Sequence, residues 1–138
     1  MIPFPSVRRI GLGILTTGFA TGFLVVSTIG VAAEKQMSDQ VAHGAELFAV
    51  HCAVCHGDDG MGGAGFPSPV WGERSQIRKF SHGRGLFEYN AMMMPFDDPS
   101  KMDMEEKLAV TAYLLANHGA MDTSDTIAAD NAIDVPIE

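Results

Sequence analysis

The residues Cys52-Ala53-Val54-Cys55-His56 contain both cysteines of the chain and one of its five histidines. Two thiols separated by two residues lie about one helical turn apart. So placed, they can add to the two vinyl groups on one edge of a porphyrin and form thioethers. His56, the next residue, then comes under the iron, where a neutral imidazole nitrogen is a good axial ligand. The spacing therefore points to one covalently attached haem c, with Cys52 and Cys55 as tethers and His56 as an iron ligand. Two other uses of these residues compete. A structural zinc site needs four ligands, so His43, His51, His82 or His118 would have to join Cys52, Cys55 and His56, and no second ligand pair at zinc spacing is present. A redox-active disulfide across two residues belongs in a thioredoxin-like βαβ context, and the chain offers none.

A haem iron held by His56 has a sixth position, and Met92-Met93-Met94-Pro95 supplies a soft thioether for it. Such a ligand favours Fe(II), raises the reduction potential and blocks dioxygen and peroxide. Met94 is the expected ligand because Pro95 disfavours helix at the preceding residue and extends it, while Pro95 and Phe96 help to exclude water. Met92 and Met93 are the alternatives, and packing is the expected role of the two that do not bind iron.

These residues need elements to hold them. Val41, Ala45, Phe48, Ala49 and Cys52 recur at helical spacing, so an amphipathic helix is expected from about 40 to 54, running into the cysteines. Gly57 ends it, and the glycine-rich run 57–65, continued by Pro67 and Pro69, reads as a loop. A short helix is expected over 83–90, with Leu86, Phe87 and Tyr89 as its apolar contacts and the methionine run in the following loop. The last helix begins at Asp103, where Glu106 completes a capping box, carries Leu108, Val110, Thr111, Leu114 and Leu115 on its apolar face, and stops at Gly119. No stretch alternates as a strand would, so the domain is expected to be all-α.

Residues 1–33 pair Arg8-Arg9 with a long uncharged stretch ending in Val31-Ala32-Ala33, which reads as a signal peptide cleaved after Ala33 or an uncleaved membrane anchor. The remaining expected organisation is a linker over 34–39, a haem domain over 40–119 and an acidic tail, mobile or draped over the domain, over 120–138. Without Arg8 and Arg9 the chain has 7 basic against 17 acidic residues, a formal charge near −10. That excess argues against nucleic acid and against an anionic membrane surface; the membrane enters only if 1–33 is retained. It suits redox partner proteins with a basic docking face. Arg74, Arg78, Lys79 and Arg84 form a basic cluster, expected on a solvated face. Trp71, Phe66 and Phe80 are expected in the haem crevice or the core, and His43, His51, His82 and His118 at the surface.

The order Gly44-x₃-Phe48, Cys52-x-x-Cys-His56, Met94-Pro95 and Thr111-Ala-Tyr113-Leu-Leu resembles the class I cytochromes c over residues 40–119. The resemblance implies a fold of three to five short helices around a covalently bound haem with His–Met ligation. It also implies that the first and last helices cross closely at Gly44, Phe48 and Tyr113. The stretch from Leu86 to Pro99 and the run Ala109 to Leu115 further resemble cytochrome subunits of periplasmic dehydrogenases of sulfur compounds. The implied function is periplasmic transfer of one electron, from a dehydrogenase to a terminal oxidase or other acceptor, with no substrate bond made or broken. The alternatives are a haem subunit of a sulfur-compound or alcohol dehydrogenase complex and a ligand-binding or peroxidase-like haem protein with an open sixth position.

Overall fold

Ser38 opens the first helix: its extended backbone lies outside, and its hydroxyl accepts the Val41 N–H at 3.2 Å, satisfying a donor that the helix start leaves without a partner. In the computed structural model, which describes residues 35–131 and 135–138, α1 spans Asp39–His51. The expected segment 1–33 lies outside the described residues. Among those described, no helix is long and apolar enough to cross a membrane.

The buried face of α1 is Val41, Gly44, Leu47 and Phe48. Ala49, expected on that face, is exposed. The face turns because Gly44 meets the last helix, α4 (Met104–His118), with no room to spare. A Cβ on Gly44 would lie 2.1 Å from the Ala109 carbonyl oxygen and 2.9 Å from the Tyr113 Cβ. Beside that contact the Phe48 and Tyr113 rings pack at 5.5 Å, and Trp71 lies 5.2 Å from Phe48 and 5.7 Å from Tyr113. The expected close crossing of the first and last helices is thus present, with Trp71 as part of the core.

The chain does not run as one helix into the cysteines. It ends α1 at His51, turns at Cys52 and resumes as α2 (Ala53–His56) until Gly57, whose φ of 80° only glycine adopts readily. The Cys52 carbonyl accepts the N–H groups of both Cys55 (3.1 Å) and His56 (3.0 Å), so the motif is a single tight turn. The third long helix, α3 (Gly83–Met93), packs on α4, where buried Asn90 donates to the Thr111 hydroxyl at 3.1 Å. Short 3₁₀ turns at Gln76–Lys79 and Pro99–Lys101 complete the helical elements.

The start and stop of α4 match expectation. Asp103 accepts the N–H groups of Glu105 and Glu106, Glu106 accepts the Asp103 N–H in return, and Gly119 ends the helix in the left-handed region. Of the two readings of the carboxyl-terminal segment, draped holds for its described residues. Ile127 and Ile137 are buried, the Gln40 amide exchanges two 2.8 Å hydrogen bonds with the Ile127 backbone, and the Ser38 N–H donates to Thr123. Among the described residues there is no strand, only one isolated bridge between His82 and Pro136. The domain is all-α, with four α-helices among the described residues.

Candidate haem site

The glycine-rich loop exists to lie against the Cys52–His56 turn. Phe66 donates its N–H to the Cys55 carbonyl at 2.9 Å, Gly62 donates to the His56 carbonyl at 3.0 Å, and Gly63 donates to the Phe66 carbonyl at 2.8 Å. A Cβ on Gly63 would stand 2.6 Å from the Cys55 carbonyl oxygen, and one on Gly65 would stand 2.6 Å from the Cys55 Sγ. Any side chain at either position would push the loop off the motif.

Cys52 and Cys55 are unpaired thiols, the first half-buried and the second exposed. Burial pushes the Cys52 thiol up to about 11, assisted by Cys55 and opposed by the Lys107 charge. It is therefore protonated at neutral pH, the wrong state for a redox nucleophile. Nor is there, among the described residues, a group of three or more His, Cys, Asp and Glu side chains suited to a metal ion. His43, a candidate fourth ligand, stands at the surface 3.9 Å from Glu46.

His56 is half-buried, its ring edge-on to Phe66 at 5.2 Å. Burial lowers its pKa from the ordinary histidine value, so the imidazole is neutral at pH 7. Its Nδ1 is buried without a hydrogen-bond partner, a rare state that asks for an explanation such as a bound group.

The three methionines separate clearly. Met92 and Met93 stay in α3, which runs three residues further than expected, and they are 69% and 42% exposed. Met94 leaves the helix with extended backbone (φ −122°, ψ 142°) and is half-buried before a buried Pro95. Phe96, expected to keep water out, is 80% exposed, so shielding falls to Pro95.

Lys107 was not expected here. Only 1% exposed, its ammonium donates to the carbonyls of Asn90 and Ala91, both at 3.1 Å, and of Met94. The signal was present in the sequence, since 107, 110, 111 and 114 share one helix face and a lysine interrupts its apolar register. His118 also departs from expectation. Its Nδ1 accepts the Gly72 N–H at 3.1 Å, which leaves Nε2 to donate to the Glu138 carbonyl at 3.1 Å, so it is a tie rather than a surface residue. Phe80 packs on Tyr89 at 5.2 Å. Arg74, Arg78, Lys79 and Arg84 are all exposed, as a solvated face should be.

Two thiols on one turn, a neutral imidazole with a nitrogen left unpartnered, and a loop that presents Gly63 and Gly65 to the turn fit a covalently tethered haem. Residues 39–114 match the family model described as "Cytochrome C oxidase, cbb3-type, subunit III". The thiosulfate dehydrogenase of Stutzerimonas stutzeri (strain A1501) is 32% identical over 100 residues, covering 64% of this chain and 31% of that protein. The crystal structure of the sulfane dehydrogenase SoxCD from Paracoccus pantotrophus superposes with a TM-score of 0.61 at 26% identity, over 70% of this chain and 52% of that one. This chain thus spans about a third of the curated relative and about half of the structural one. With the match extending over more than half of its length, the chain belongs to this family and is a c-type cytochrome with covalently bound haem c.

Proposed function

We propose that this chain is a periplasmic one-electron carrier, exported through its segment 1–33, whose haem domain covers 40–119 and is followed by the acidic tail 120–138. In this reading Cys52 and Cys55 would form the thioether tethers, and His56 and Met94 would bind the iron. The observation that carries it is the state of His56: neutral, half-buried, and holding a buried nitrogen without a partner beside two unpaired thiols. When bound, the haem supplies the Fe(III)/Fe(II) couple. The protein's own residues hold and shield it. The loop at Gly63 and Gly65 stays close to the tethers, and Pro95 extends Met94 out of α3. Such a protein makes and breaks no substrate bond.

The likeness to a thiosulfate dehydrogenase and to the sulfane dehydrogenase SoxCD supports a donor that oxidises sulfur compounds, whether this chain shuttles freely or is a subunit of such a complex. Intact mass and absorption of the protein made in an exporting host with haem-attachment machinery test the site. One haem should be retained through denaturation and lost in the double variant Cys52→Ser/Cys55→Ser. The ferrous protein should bind carbon monoxide poorly until Met94→Ala opens the sixth position. Ready binding by the unaltered protein would instead favour the ligand-binding or peroxidase-like reading.

A further inference from the structure

We propose that Lys107 is a positioning residue for the sixth iron ligand: its buried ammonium ties the end of α3 and the Met94 backbone to α4, fixing where the Met94 thioether stands. The proposal rests on Met94 as that ligand.

Three carbonyls converge on the Lys107 Nζ, those of Asn90, Ala91 and Met94. An ammonium has three donors, so this set satisfies it completely, which is the condition for keeping a charge at 1% exposure. The Asn90 carbonyl accepts the Met94 N–H at 3.1 Å as well, and the Ala91 carbonyl belongs to the last turn of α3, which presents acceptors without helical partners. A cation is the natural complement to such a helix end. The ammonium therefore closes α3 and grips the first residue beyond it in one contact.

The opposite side of the tie is equally fixed. The Thr111 hydroxyl donates to the Lys107 carbonyl at 2.8 Å and accepts from Asn90, so α4 holds α3 through a second link one turn along. Met94 itself is extended and only half-buried, and its exposed neighbours Met92 and Met93 do not restrain it. An extended residue in a loop has no helical bonds to hold its carbonyl, and Lys107 supplies what is missing. The Lys107 ammonium is also a fixed positive charge against the Met94 carbonyl. A fixed positive charge there favours the ferrous state.

The test compares the full haem-loaded chain with Lys107→Met, Lys107→Arg and Met94→Ala. The readouts are the absorption band of ferric iron bound to thioether sulfur, the affinity of the ferric protein for imidazole, and the reduction potential. Lys107→Met keeps the length and removes the donors. It should weaken the band, raise imidazole affinity about tenfold, the effect of about 1.4 kcal/mol, and lower the potential, and Lys107→Arg should restore part of each. If Lys107→Met does not accumulate, Lys107→Gln, which retains two donors, should show an intermediate imidazole affinity. An unaltered band and affinity in Lys107→Met, or in Lys107→Gln where that stands in, with the band lost in Met94→Ala, overturns the positioning role alone. A band that survives Met94→Ala overturns the ligand assignment and the positioning role together.

Discussion

Single residues set the site where packing leaves them no freedom, and Gly44 shows how sharply. Replacing a mid-helix glycine by alanine ordinarily gains about 1 kcal/mol of helix propensity. Here the added Cβ would meet a backbone oxygen at 2.1 Å, which no rotamer change relieves, so α1 and α4 would have to separate. We expect Gly44→Ala to destabilise the haem-loaded protein by about 1–3 kcal/mol in guanidinium unfolding. An unchanged or raised midpoint would mean the crossing yields easily. The role of Gly44 was legible through the resemblance to class I cytochromes c, which implies a close crossing at Gly44, Phe48 and Tyr113. Lys107 was marked by its break in the apolar register of its helix, but its partners were not legible, nor were those of His118. A buried lysine is explained by carbonyls from a distant helix end, and His118 by the Gly72 and Glu138 backbone; neither partner shows in local spacing.

At the level of elements, both ends of α4, set by local chemistry, read correctly, and the break at Cys52, set by tertiary contact, did not. Asp103, Glu106 and Gly119 act on their own helix, so both ends of α4 fall where their side chains and backbone require. The break at Cys52 has no such local signal. It depends on the loop that returns to bond Cys55 and His56, and α3 runs on to Met93 because only Met94 directly precedes proline. Removing the cap by Asp103→Ala should cost about 1 kcal/mol, and Asp103→Asn, still an acceptor, much less. Thermal unfolding of the two variants beside the parent measures the difference. Equal loss in both would assign the effect to charge at the helix start instead of the hydrogen bonds.

Over the whole molecule, the carboxyl-terminal segment combines two functions that composition alone separates, packing and charge. Its acidity reads as a solvated tail, yet two isoleucines anchor it, and the Ser38 N–H and hydroxyl bond to the Thr123 and Asp125 carbonyls. Asp122 is held at about 2 by the Ser124 N–H first, then by Lys35 and the Ser124 hydroxyl. A carboxylate depressed from 3.8 supports the folded form above that value, and the support is lost as pH falls toward 2. Ending the chain after Ala120 would remove Ile127 and Ile137, each contributing about 1.5–3 kcal/mol by burial as an upper bound. It would also remove five of the 17 acidic residues, Asp122, Asp125, Asp130, Asp134 and Glu138. The shortened protein should retain its haem, unfold at lower denaturant, and lose part of its acid sensitivity between about pH 4 and 2. Its electron transfer with a basic partner should be slower at low salt and depend less steeply on ionic strength, because steering scales with the charge that faces the partner. Stopped-flow reduction at several salt concentrations separates the two effects, since lost packing lowers stability at every ionic strength while lost charge shows only where screening is weak. A salt dependence identical to that of the full chain would assign docking to another face and leave the segment a purely structural strap.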